Sequence, residues 1–278
     1  THGNNVVEII WTLIPTAIVL FLFVISWQTL NRVQTVSAQP DIRIHAIAGQ
    51  FAWQFEYLDA GGTKVATQLA PVYNPDTGAG GMAVPVGRSV QVTLDSPDVI
   101  HAFYVPRFLF KRDVVPGQTN TFEFTVDEAE ARQIFRGQCA ELCGTGHRTM
   151  LFDVIALSPA DYDGWLSGLI AKSNATPEPI PSGSPVLNVT ASGIAFNTHA
   201  LEVAADTPFA IAFKNEDPAG VLHDIDIRDA DGKVLADQQT IDGGTSTTYP
   251  YQGLSAGSYT FICSIHPIPA MTGILTVK

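Results

Sequence analysis

The chain has little sulfur and few basic side chains. Its 278 residues include three cysteines, three methionines and seven histidines, and 15 Lys and Arg stand against 27 Asp and Glu. The formal charge of −12 argues against nucleic acid as a partner, because a polyanion needs a basic surface. Residues 1–172 hold 16 acids and 11 bases (−5), and residues 173–278 hold 11 acids and 4 bases (−7). The smaller part is the more acidic, which suits either solubility outside the cell or steering of a basic partner protein. Three is an odd number of cysteines, and in an exported protein that leaves a free thiol. No C-x-x-C-H run occurs, so covalently attached haem is not expected. No basic stretch precedes the N-terminal apolar run and no small-residue cleavage pattern follows it cleanly, which argues against a signal peptide.

What the chain does have begins with that run. From Val6 to Leu30 the one formal charge is Glu8, and Trp11 and Trp27 bracket the apolar core as interfacial residues do. Twenty-five residues at ~1.5 Å each are long enough to cross a bilayer with some tilt. Residues 1–32 are therefore expected to form a transmembrane helix, kinked or loosened near Pro15. A carboxylate at the edge of such a run is costly unless it serves a purpose, which singles out Glu8.

Residues 42–57 alternate apolar and polar, as a half-buried strand does. Similar runs at 90–94, 100–105, 121–126 and 151–157 are separated by Gly61-Gly62, Asn74-Pro75, Gly78–Gly81 and Pro116-Gly117. Short strands with regular turn signals predict an antiparallel sandwich over residues 40–172, closed by a helix over 161–172. Four prolines between Pro177 and Pro185 predict an extended, semi-rigid linker over 173–185. The strand pattern resumes at 186–190, 209–214, 221–227, 247–251, 258–263 and 272–277, predicting a second sandwich over 186–278.

The scarce soft side chains are concentrated. Cys139-Ala-Glu141-Leu-Cys143-Gly-Thr-Gly-His147-Arg-Thr-Met150 gathers two thiols, an imidazole and a thioether, with His101 upstream. Such donors select copper or zinc over magnesium or calcium. A Cys139–Cys143 disulfide is the plain alternative, but it leaves His147 and Met150 unexplained. The second cluster is Cys263-Ser-Ile-His266-Pro-Ile-Pro-Ala-Met271, with His223 upstream. One Cys, two His and a Met are the donor set of a blue-copper site. The separations from His101 to Cys139 and from His223 to Cys263 are 38 and 40 residues, which suggests one fold used twice. His2, His45 and His199 have no such pattern and read as surface or strand residues.

The first cluster matches C-x-E-x-C-x3-H-x2-M and so resembles the binuclear copper (CuA) loop of cytochrome c oxidase subunit II, a likeness covering about residues 5–172. The resemblance implies His101 and His147 as imidazole ligands, Cys139 and Cys143 as bridging thiolates and Met150 as a weak thioether ligand. It implies that Glu141 gives its backbone carbonyl to copper and turns its side chain towards a magnesium site shared with the catalytic subunit. Glu8-Ile-Ile-Trp11 is similar to the start of the family's second helix, where the glutamate stands at the mouth of a proton path. Subunit II usually has two spans, and the helix here corresponds to the second. Phe51-Ala52-Trp53 stands where the family has W-x-W, so Phe51 replaces the tryptophan at which electrons from cytochrome c enter. The second cluster resembles the type I copper site of plastocyanin-like cupredoxins over about residues 186–278. That resemblance implies Cys263, His223 and His266 as strong ligands and Met271 as the axial one. Asp224 stands where these proteins commonly have Asn; it can hydrogen-bond similarly but adds a charge.

Together these resemblances imply an all-β chain: one transmembrane helix followed by two cupredoxin-type Greek-key sandwiches. They imply the electron-accepting subunit of a haem–copper terminal oxidase in an energy-conserving plasma membrane, with its copper domains on the outer, periplasmic face. The donor would be cytochrome c or a blue copper protein, and the acceptor haem in subunit I, where oxygen is reduced to water. The alternative is a membrane-tethered copper chaperone, although such proteins favour exposed, exchangeable ligands. Nitrous oxide reductase needs a large propeller for which there is no room, and a quinol oxidase subunit would not keep the copper ligands.

Overall fold

The computed structural model describes residues 3–70, 80–175, 178–236 and 238–278. The turn signals at Asn74-Pro75 and Gly78-Ala79, together with His2, lie outside these residues. Helix α1 (Asn5–Gln34) is capped by the Asn4 side chain, which accepts from the Val6 and Val7 amides at 3.1 and 3.4 Å. Pro15 lies inside α1 without ending it. No side chain of α1 is buried, and its length and composition make it a candidate membrane span.

The next part holds β1 (Ile42–Gly49), β2 (Ala52–Leu58), β3 (Lys64–Ala70), β4 (Gly81–Pro85), β5 (Ser89–Asp95), β6 (His101–Val105), β7 (Phe110–Val114), β8 (Asn120–Thr125), β9 (Ile134–Cys139) and β10 (Leu151–Leu157). They form two five-stranded sheets, β3-β2-β1-β5-β8 and β4-β10-β9-β6-β7. The run at 42–57 is therefore two strands and not one. The side chains buried on β1 are Ile44, Ala46 and Ala48, and those on β2 are Trp53, Phe55 and Tyr57, so the phase of alternation flips across the turn at Gln50-Phe51. Only a reversal of the chain keeps both sets facing one core. Trp53 and Phe55 meet Phe152 of the opposite sheet at ring-centroid distances of 4.9 and 5.7 Å. The Tyr57 hydroxyl donates to the Ala83 carbonyl and accepts from the Ala83 amide, both at 2.9 Å, tying the two sheets together. Helix α2 (Pro159–Ser173), capped by Ser158, closes this core with Tyr162, Trp165, Leu166 and Leu169.

Beyond α2 come β11 (Val186–Ala191), β12 (Ala200–Val203), β13 (Phe209–Asn215), β14 (Asp226–Arg228), β15 (Val234–Ala236), β16 (Ser246–Tyr251), β17 (Gly257–Ile262) and β18 (Thr272–Val277). They form sheets β11-β13-β16 and β12-β18-β17-β14-β15 around a second, separate core. The run at 221–227 pairs as a strand only from Asp226; His223 makes an isolated bridge to Ile241. Tyr251 repeats the tie made by Tyr57, its hydroxyl donating to the Ile225 carbonyl at 2.6 Å. The described residues are mostly β, with two α-helices.

Candidate metal centres

Each sandwich brings its soft side chains together by the same construction. A histidine lies on or beside a strand that neighbours the cysteine strand, and the remaining donors lie in the hairpin loop that follows. His101 opens β6, Cys139 ends the adjacent β9, and the loop from Cys139 to Met150 leads into β10. Likewise β14, just past His223, pairs with β17, and Cys263 follows β17. Both loops are closed by one backbone bond: Cys139 N–H to Met150 O and Cys263 N–H to Met271 O, each 3.0 Å. Gly144 and Gly146 let the first loop lie on the Phe51 ring, where a Cβ on Gly146 would come within 2.4 Å of that ring. Phe51 therefore sits beneath the loop, half-buried. Trp53 is fully buried and offers no surface to a docking donor.

In the first nest the sulfurs of Cys139 and Cys143 are 3.9 Å apart, far beyond the ~2.05 Å of a disulfide, so both thiols are free. His101 Nδ1 lies 3.7 Å from Cys139 Sγ, His147 Nδ1 lies 3.5 Å from Cys143 Sγ, and Met150 Sδ lies 3.9 Å from Cys143 Sγ. The Glu141 carbonyl oxygen is 3.3 Å from Cys139 Sγ. Ligand atoms of His101, Cys139 and Cys143 all fall within 4.8 Å of one another, close enough for a metal that takes sulfur at ~2.3 Å and nitrogen at ~2.0 Å. The Glu141 carboxylate turns outwards and accepts from Lys111 Nζ at 2.9 Å.

The proton inventory of this nest fits a cation. Burial pushes the Cys139 thiol up, but hydrogen bonds with His101 and the loop backbone outweigh it and bring it down to about 6. Burial, and then the charge on Cys139, drive Cys143 up to about 12. Burial disfavours the charged form of His101, yet Asp98 and Cys139 together raise it. A metal held by these sulfurs would displace the thiol protons and relieve the repulsion between two thiolates. Asp98 Oδ1 lies 2.9 Å from His101 Nε2 and fixes the ring.

In the second nest His223, Cys263 and Met271 are fully buried, and His266 is 5% exposed. Cys263 Sγ lies 3.6 Å from His223 Nδ1 and 3.8 Å from His266 Nδ1. His223 Nε2 meets Asp217 Oδ2 at 2.7 Å, and His266 Nε2 meets the Gln50 carbonyl oxygen at 2.9 Å. Both partners are acceptors, so each Nε2 carries the proton and each Nδ1 presents a bare lone pair. Those two Nδ1 atoms face each other at 3.1 Å. Burial holds His223 below the usual histidine range, and burial together with His223 holds His266 at about 4, so neither ring relieves this crowding by taking up a proton. Burial also raises the Cys263 thiol, whose proton must leave when a metal binds. Asp224 accepts from the Ser264 amide at 2.6 Å and bonds the Ser264 hydroxyl, bracing the start of the ligand loop.

Sequence reasoning missed Asp98, Asp217 and Gln50. Each aspartate lies a few positions before its histidine, a faint signal that spacing alone does not distinguish from a turn. Gln50 carries no sequence signal at all. Of the three histidines without a motif, the two described ones behave as structure: His45 pairs with Glu56 at 3.2 Å and His199 with the Thr272 carbonyl at 2.7 Å.

Residues 42–157 match the family described as cytochrome c oxidase subunit II, periplasmic domain, and residues 165–277 match the cupredoxin-like domain. A probable cytochrome c oxidase subunit 2 of Streptomyces coelicolor is 32% identical over 202 residues, covering 62% of each chain. The cytochrome c oxidase subunit 2 of Triticum aestivum is 32% identical over 186 residues, covering 62% of this chain and 70% of its own. The crystal structure of the periplasmic domain of subunit II of cytochrome oxidase from Bradyrhizobium japonicum is 28% identical, with TM-score 0.43, over 49% of this chain and 99% of that one. The chain spans about 62% of the length of the Streptomyces relative. Both matched families imply copper binding.

Proposed function

Because the chain belongs to the cytochrome c oxidase subunit II family, we propose that it is the electron-accepting subunit of a haem–copper terminal oxidase. It takes electrons from an external donor at the Cys263 nest, moves them to the Cys139/Cys143 nest, and passes them to haem in subunit I, which reduces oxygen to water. Copper held by these residues would supply one-electron storage with little change of geometry. In the first nest Cys139, Cys143, His101, His147, Met150 and the Glu141 carbonyl would hold the copper of a CuA centre. In the second, His223, Cys263, His266 and Met271 would hold a type I copper. The side chain of Glu141 contributes to a magnesium site at the contact with subunit I, where Lys111 now holds it. Glu8, exposed in the first turn of α1, stands at the mouth of a proton path into the partner. The helix spans the plasma membrane and both sandwiches lie on its periplasmic face.

One observation carries this reading: two enclosed free thiols 3.9 Å apart, ringed by the remaining donors of the motif. An open substrate position is not what such a site offers; it stores charge. Copper analysis with electron paramagnetic resonance tests it. The expected result is one mixed-valence pair and one blue centre per chain, both resistant to a soluble chelator. Zinc in either nest, or rapid exchange of copper as in a chaperone, would overturn it.

A further inference from the structure

Resting on the relay just described, we infer that Gln50 is the coupling residue between the two nests, and that charge leaves the second nest inward through the His266 ring edge. Three hydrogen bonds meet at this one residue. Its carbonyl accepts from His266 Nε2–H at 2.9 Å. Its amide donates to Asp98 Oδ2 at 2.7 Å, and the other oxygen of Asp98 holds His101 Nε2 at 2.9 Å. Its side-chain amide donates to the Cys143 carbonyl. Two bonded routes therefore run from the His266 ring to the first nest, one to the Cys143 thiol and one to the His101 imidazole.

Electronic coupling decays more steeply across a van der Waals gap than along covalent and hydrogen bonds. A residue that bridges both nests by hydrogen bonds alone is thus worth more than simple proximity. The surrounding contact is made by packing. Ala52 and Leu69 of the first sandwich lie against the second core, and Gly220 approaches Pro97 so closely that a Cβ would come within 2.5 Å of it. The His266 ring is 5% exposed, so no external protein reaches its edge. The step moves one electron: the second nest is oxidised by one equivalent and the first reduced by one. No bond breaks, and the Nε2 proton stays on His266 because the Gln50 carbonyl can only accept. The electron is replaced by a one-electron donor protein that meets the second sandwich away from His266.

The test uses the full, copper-loaded chain and a flash-generated one-electron reductant, following the blue band and the absorbance of the pair. Gln50→Ala keeps the backbone bonds and cuts the link to Cys143; the intramolecular rate should fall on the order of tenfold with both spectra intact. Leu69→Glu sets a carboxylate against the acidic second sandwich and should abolish the transfer while both centres keep their copper. In metal-free chain labelled with 15N-histidine, the slowly exchanging His266 Nε2–H should be present and should be lost in Leu69→Glu. Unchanged rates in both variants, or a rapidly exchanging Nε2–H in the unaltered chain, would overturn the role of Gln50 and leave the relay standing. No transfer at all in the unaltered, fully loaded chain would overturn the relay itself.

Discussion

At the first nest Leu142 is 82% exposed, the Glu141 carboxylate faces outwards and His147 is half-buried; at the second His223, Cys263 and Met271 have no exposed surface. The two are otherwise built alike, down to the backbone bond that closes each loop. The two nests face different ways. The first nest keeps one flank open. The second is sealed, and its one marginally exposed ring is directed at the first.

The strongest way to break the comparison is to empty one nest at a time. Cys143→Ser should abolish the mixed-valence signal and leave the blue band, and Cys263→Ser should do the reverse. Parallel spectra of the two variants check this, and loss of both signals in either would mean the nests do not fold independently. A smaller effect is expected from the outer carboxylates. Asp217→Asn should lower copper affinity at the second nest roughly 10–100-fold, measured by chelator competition. Asp98→Asn should cost the first nest less, because the Asp98 side chain is 20% exposed and water can replace it, against 7% for Asp217.

The last effect concerns the sandwich rather than its metal. Burial alone would raise Glu56, but hydrogen bonds with His45 and Lys64 bring it down to about 2, well below the usual carboxylate range. A depressed carboxylate adds stability that is complete above its unfolded pKa and is lost as pH falls towards the folded value. Urea unfolding of the metal-free chain between pH 5 and pH 2, against Glu56→Gln, should show a loss on the order of 2 kcal/mol that the variant lacks; Lys64 is well exposed, which keeps the figure modest. No acid dependence at β2 alongside an intact second sandwich would separate the two cores sharply.

What the residues declare in advance follows from their physics. Thiols and imidazoles at fixed spacing announced both nests, because few donors can serve a soft metal. The alternation of Ile44, Ala46 and Ala48 against Trp53, Phe55 and Tyr57 held the hairpin in plain view, yet reading apolarity without phase merged two strands into one. Strands β3, β4, β7, β9, β12 and β15 escaped notice; β12 and β15 are too short to establish a period, and β4 is buried throughout and so shows no alternation. Gln50 was illegible for a different reason. Its three bonds reach Asp98, Cys143 and, across 216 positions, His266, and a contact that distant leaves no pattern along the chain.

The neck between α1 and β1 has a mechanical consequence. Ser37 N–H donates to Glu123 at 2.7 Å, Gln91 donates to the Ser37 carbonyl at 3.0 Å, and Arg43 reaches back to the Ala38 carbonyl at 3.2 Å. A mast of 30 residues, about 45 Å tall, is thereby moored to the floor of the first sandwich with almost no slack. The reach from the end of α1 to the Cys139/Cys143 thiols is then fixed, whereas the second sandwich, following a proline tether, owes its position to what it touches.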